Sequence, residues 1–125
     1  MTAALAAALR ACAAGLYHSE AGTGLLIGHG SFLRRDDFVS AFICEGTSIT
    51  DGATRMASID WDAAITALNT GNLPASSGER SVLRLAASIA AGTPVALRDT
   101  IISLDDRNLG LLLTAIRHAA GHRPG

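Results

Sequence analysis

The sequence predicts a mostly α-helical fold, a compact bundle of five or six short-to-medium helices, and the chief departure it allows is one small β-hairpin near residues 44–56. Three observations predict it. Apolar residues recur three and four apart in several windows, which places them on one face of a helix. Apolar residues make up 49% of the chain and aromatic residues only 4%, so the core must be built from Ala, Leu, Ile and Val, a composition that favours closely approaching helices. Capping residues and Gly or Pro stops bound those windows at helical lengths. The 125 residues fit a single globular helical domain over 1–121 with a loose tail at 122–125. A chain of that size can bury roughly two-thirds of the surface its unfolded form exposes.

Taken in order, residues 2–18 carry Leu5, Leu9, Cys12 and Leu16 along one helical stripe in an Ala-rich surround, with Gly15 weakening the end. Ser19 and Glu20 can cap a short helix through Ile27, but Gly22, Gly24, Gly28 and Gly30 favour a bend. Residues 31–45 read as a helix that turns Leu33, Phe38, Val39, Phe42 and Ile43 inward and leaves Arg34, Arg35, Asp36 and Asp37 in water. Asp51-Gly52 is a turn signal. Its flanks are weakly strand-like, so a long loop over 46–58 is expected ahead of a hairpin.

Ser58 or Asp60 caps the next helix, whose inner face is Trp61, Ala64, Ile65 and Leu68, and Gly71, Asn72 and Pro74 end it. Ser76 and Glu79 have capping-box spacing and start a helix with Val82, Leu85, Ala86 and Ile89 on one face. Gly92-Thr93-Pro94 stops that helix, and residues 95–102 form one or two turns. Ser103 is expected to cap the clearest helix of the chain, with Leu109, Leu112, Leu113, Ile116 and Ala120 inward. His118, His122 and Arg123 suit its negative end.

The formal net charge is −1, unlike the basic footprint of a domain held by phosphates, so nucleic-acid binding would need a local patch. All the cationic side chains apart from His are Arg, a bias of GC-rich bacterial genomes. Cys12 and Cys44 are far apart, form no C-x-x-C pair and lie among apolar neighbours, which reads as two buried free thiols. The apolar start has no basic region ahead of it and reads as an amphipathic helix, not a signal peptide. No unbroken apolar window reaches about 18 residues, so no membrane span is expected and the compartment expected is the cytoplasm.

Ser77-Gly78-Glu79-Arg80 with Leu83, followed by Ile102-Ser103-Leu104-Asp105, resembles the signature of ATP-binding-cassette and chromosome-maintenance ATPases. Those ATPases hold a γ-phosphate at a helix N-terminus. Their phosphate loop requires a Lys, which this chain lacks, and Arg98 interrupts the apolar run at residues 95–100 with no Glu to follow. A capped helix and a turn account for the same letters. His118 and His122 have metal-ligand spacing without a nearby Cys or carboxylate, so no metal and no cofactor is expected. His18-Ser19-Glu20 matches half of a zinc-deaminase motif whose Pro-Cys-x-x-Cys half is absent.

Two sets of residues remain as candidate sites, and no catalytic residue is assigned. His18, Glu20 and His29 would form a ligand-binding or enzymatic site if they converged on one cavity. Arg80, Arg84 and Arg98, beside a turn that vaguely resembles a helix-turn-helix, would form a DNA-binding patch with salt-dependent affinity. Asp36-Asp37 and Asp105-Asp106 sit near helix starts, where acidic charge is favourable without any chemistry.

Residues 59–62 (Ile-Asp-Trp-Asp), 73–80, 83–88 and 104–108 lie within a pattern, from Phe38 to Gly121, that resembles small uncharacterised helical proteins of high-GC bacteria over about two-thirds of the chain. The resemblance implies a bacterial cytosolic origin and carries no activity, cofactor or site residue. The function expected is a non-enzymatic protein-interaction or regulatory module that associates with itself, its Ala-rich faces being suited to close helix contacts. The alternatives are the DNA-binding regulator and the small ligand-binding protein or enzyme.

Overall fold

Residues 17–29, where the glycines favour a bend, instead form a single helix against which three of the other helices pack. In the computed structural model, which describes residues 1–122, the order is α1 (Ala3–Ala13), α2 (Tyr17–His29), a 3-10 turn (Phe32–Arg34), α3 (Asp36–Phe42), β1 (Ile43–Thr47), β2 (Arg55–Ile59), α4 (Trp61–Asn69), α5 (Ser77–Ala91), α6 (Leu97–Ile101) and α7 (Asp106–Ala119). The chain is thus mostly α with a small two-stranded hairpin. Of the expected tail, residues 123–125, including Arg123, lie outside the described residues.

Gly22 explains why a glycine-rich segment is helical here. A Cβ at this position would lie 2.5 Å from the Ala90 Cβ and 2.7 Å from the Ala86 carbonyl oxygen. The missing side chain therefore lets the α2 backbone seat directly on α5, and that contact outweighs the poor helix propensity of Gly. Gly28 plays a lesser part, with Leu111 of α7 against it. Gly30, at φ 82°, ends α2 in the left-handed conformation and donates its N–H to the Leu26 carbonyl. The helix buries Ala21, Gly22, Thr23, Leu25, Leu26, Ile27 and His29.

Two apolar clusters lie on either side of this helix pair. One joins Leu5 and Leu9 of α1, Leu26, Phe32, Phe38, Ala57 of β2, Ala64 and Leu68 of α4, and Leu83. The other joins Ala21 and Leu25 of α2, Val82, Leu85 and Ala86 of α5, and Leu112 and Ala115 of α7. Trp61 packs against both. The centroids of the Phe32 and Phe38 rings, and of the Phe38 and Phe42 rings, are 5.1 Å apart.

The caps follow the sequence at α4 and α5. Asp60 accepts from the Ala63 N–H, and Ser76 and Glu79 form a complete capping box. At α7 the cap is Asp105, which accepts from the Asn108 N–H at 2.8 Å, and not Ser103. The Ser103 hydroxyl is instead bonded to the Ser81 hydroxyl and reaches the Thr100 carbonyl, tying the α6–α7 turn to α5.

Three further expectations are corrected. Residues 31–45 are not one helix, because the chain becomes extended at Arg35 and again at Ile43. The small hairpin allowed near residues 44–56 is present over residues 43–59, in place of the long loop set ahead of it, with Ile43 opposite Ile59 and Glu45 opposite Ala57 in antiparallel register. An Asx turn closes it: Asp51 accepts from the Ala53 and Thr54 N–H groups and the Thr54 hydroxyl, which holds its carboxyl at a pKa of about 2. The Arg55–Glu45 ion pair spans the strands. Finally, Cys12 and Cys44 are exposed free thiols, since α1 buries Leu5, Ala8 and Leu9, and only β2 of the hairpin packs on α1.

The glycine contacts make opposite predictions for neighbouring positions. Gly22→Ala should destabilise the protein by about 1–3 kcal/mol through overpacking, although it improves helix propensity. Gly24→Ala, where a Cβ meets nothing within 4 Å, should stabilise by about 0.5–1 kcal/mol. Urea unfolding of both variants checks this contrast, and a gain in stability for Gly22→Ala would contradict the close contact.

Candidate functional site

The structure does not bring His18, Glu20 and His29 together. His18 is exposed near the start of α2, and His29 lies at its far end, about 14 Å along the axis from Glu20 at the helical rise of 1.5 Å per residue. Glu20 pairs with a residue remote in sequence. Its carboxylate is 2.8 Å from His118 Nε2 and also accepts the Gly15 N–H at 2.9 Å, clasping the α1–α2 turn to the end of α7. His118 is accordingly half-buried, not a surface complement to the helix dipole, and the Tyr17 ring lies beside it.

His29 is buried next to Phe32, and its Nδ1 has no hydrogen-bond partner among the described residues. Burial strips solvent from the imidazolium and lowers the pKa. Glu79 opposes this shift, while Arg107 and Arg34 reinforce it. The ring is thus a buried polar group at the end of α2 rather than part of a site shared with His18 and Glu20.

Arg80 and Arg84, one turn apart on α5, both line a cleft of about 460 Å³ against the segment leading into α6. Arg98 does not line it; its side chain is 93% exposed and pairs with Asp99. Of the three arginines, only Arg80 and Arg84 thus share the cleft. Asp36 and Asp37 occupy the first turn of α3, and Asp105 and Asp106 the start of α7, as helix-end charge rather than as facing carboxylates.

The feature that periodicity misplaced is the outer face of α7. Leu109, Leu113 and Ile116 were expected inside, yet they are 39%, 53% and 45% exposed. The side that packs on α2 and α5 consists of Asn108, Leu112 and Ala115, with Leu111 and Ala119 partly buried. At 100° per residue the apolar arc from Leu111 round to Leu113 covers roughly 200°, more than two neighbouring helices can cover.

Helical geometry places Asp106, Leu109, Gly110, Leu113, Ile116 and Arg117 on the same exposed side. Acidic charge thus lies at its N-terminal end, apolar surface and a glycine in the middle, and basic charge at its C-terminal end. Neither Asp106 nor Arg117 forms a salt bridge among the described residues. A Cβ on Gly110 would meet nothing within 4 Å, so no contact among the described residues requires this glycine. Leu97, Ile101 and Ile102 are also exposed on the segment just before α7.

Comparison with protein-family models, curated proteins and solved structures found no match. Among the described residues, no helix is long and apolar enough to cross a membrane, and no group of three or more potential ligands is placed to hold a metal ion.

The buried His29 generates a pH prediction. Its folded-state pKa is below the unfolded value near 6.5, so below that pH the unfolded chain binds more protons and the folded state loses stability. Stability linked to His29 is therefore fully present above pH 6.5 and declines as the medium is acidified. His29→Leu should flatten the slope of unfolding free energy between about pH 6.5 and 5 relative to wild type, as measured by urea denaturation across that range. An unchanged slope would mean that the ring is solvated when folded.

Proposed function

We propose that this protein is a non-enzymatic interaction or regulatory module that works as a homodimer through the outer face of α7. The observation that carries the reading is the exposed stripe of Leu109, Leu113 and Ile116 between Asp106 and Arg117, neither of them in a salt bridge among the described residues. A stripe of this spacing is half of a helix–helix contact.

A second copy fits it better than an unrelated helix because the face is complementary to itself. When two α7 helices run antiparallel about a two-fold axis midway between residues 111 and 112, Asp106 of each lies opposite Arg117 of the other. The same register sets Leu113 of each over Gly110 of the other, where the absent side chain leaves room for a leucine knob. A two-fold interface requires this kind of reciprocal match. Leu109 and Ile116 then flank the seam on one edge.

The polar residues that offered chemistry are engaged in holding the fold: Glu79 in the α5 capping box, Glu20 with His118, and His29 in the core. That placement favours an interaction role over an enzymatic one. We place the protein in the cytoplasm, where its two exposed thiols would stay reduced.

Sedimentation velocity tests the dimer. Wild type should sediment as a dimer at micromolar concentration, and Leu113→Glu as a folded monomer with unchanged far-ultraviolet circular dichroism. Asp106→Arg should weaken association by about 0.2–1 kcal/mol for each of the two symmetric pairs, and adding Arg117→Asp should restore it. A wild-type protein that stays monomeric at high concentration, or a Leu113→Glu dimer, would rule out this face.

A further inference from the structure

The cleft beside α5 uses none of the α7 face and carries a separate inference. One wall is the first two turns of α5, with Ser77, Arg80 and Arg84; the other is formed by Pro94, Val95 and Asp99. Its volume of about 460 Å³ falls within the range of small-molecule sites. Like charges one turn apart repel each other along a helix. Neither Arg80 nor Arg84 has a carboxylate partner among the described residues to relieve that repulsion. Arg35, Arg55, Arg98 and Arg107, by contrast, are each bonded to a carboxylate or a carbonyl. The Ser77 hydroxyl, in the first turn of α5, donates no hydrogen bond among the described residues, and the positive end of that 15-residue helix adds to the field of the two arginines.

We infer that this cleft binds a small phosphomonoester. Two guanidinium forks, a free hydroxyl and a helix N-terminus suit the several oxygens of a tetrahedral dianion better than a carboxylate, which a single Arg would saturate. The organic body lies along Pro94 and Val95. Asp99 on the far wall accepts from a hydroxyl or amino group of that body, and it would repel the continued phosphate backbone of a nucleic acid. Size, concavity and this opposed carboxylate separate the site from a DNA-binding surface, which would need a broader run of cations.

The test is an amide chemical-shift titration of the full chain at constant ionic strength, with ribose 5-phosphate and adenosine 5′-monophosphate as probes. Ribose, sodium sulfate and a short DNA duplex serve as comparisons. The expected result is saturable shifts at Ser77, Arg80, Arg84 and Asp99 with at least one phosphomonoester, and roughly tenfold weaker binding or none with sulfate and ribose. Arg84→Gln and, separately, the more exposed Arg80→Gln should each weaken binding by roughly tenfold, the loss of a charge-assisted hydrogen-bond pair. Arg117→Gln, on the α7 face, should leave it unchanged. Absence of saturable shifts with either ester, sulfate binding equal to ester binding, or tighter binding of the duplex would overturn the proposal.

Discussion

The seating of α2 on α5 at Gly22 is the contact on which the rest of the structure depends. With the Ala86 carbonyl and the Ala90 methyl inside the space a side chain would fill, the two backbones are too close at this point to admit even a methyl group without a shift. Each helix then has a face on either side of the contact, so Leu26 and Leu83 look into one apolar cluster while Leu25, Val82 and Leu85 look into the other. α1, the hairpin and α4 close the first cluster, and α7 closes the second. A core with so few aromatic rings gains its stability from this proximity, because small residues bury area by letting neighbours approach rather than by their own bulk.

The same economy leaves large apolar groups outside. Against a closely packed α2–α5 pair, α7 fits with Asn108, Leu112 and Ala115, and its bulkier Leu109, Leu113 and Ile116 turn outward. The chemistry of the fold therefore leads directly to the surface proposed for association. It also explains why the polar residues that look like site residues in the sequence serve as fasteners. Glu79 closes a capping box, Glu20 and His118 join the α1–α2 turn to the end of α7, and Ser103 ties the α6–α7 turn to α5.

Local signals were legible in the sequence where a residue acts on its immediate neighbours. The Ser76–Glu79 box and the inner face of α4 could be read from spacing alone, as could the helical class itself, while the α4 cap was narrowed to Ser58 or Asp60, of which the structure uses Asp60. Signals that depend on a distant partner were not. Gly22 looks like a helix breaker until Ala86 and Ala90 are opposite it. The α7 stripe reads inward when residues are weighed by size, because the buried side relies on Ala115 and Ala119. The hairpin near residues 44–56 was legible only as an alternative to a loop, because its strands are short and its turn is held by Asp51 rather than by strong strand propensity. For the candidate sites, Arg80 and Arg84 shared a face as their i, i+4 spacing implied. The Glu20–His118 pair spans 98 positions and had no sequence signal.

Pairing of α7 with a second copy is most directly tested by an isotope-filtered nuclear Overhauser measurement on a mixed sample of labelled and unlabelled protein. Antiparallel pairing predicts intersubunit cross-peaks between the Leu113 methyls and the Gly110 α-protons. Absence of these cross-peaks in a sample shown to be dimeric, or their replacement by contacts from another face, would contradict it.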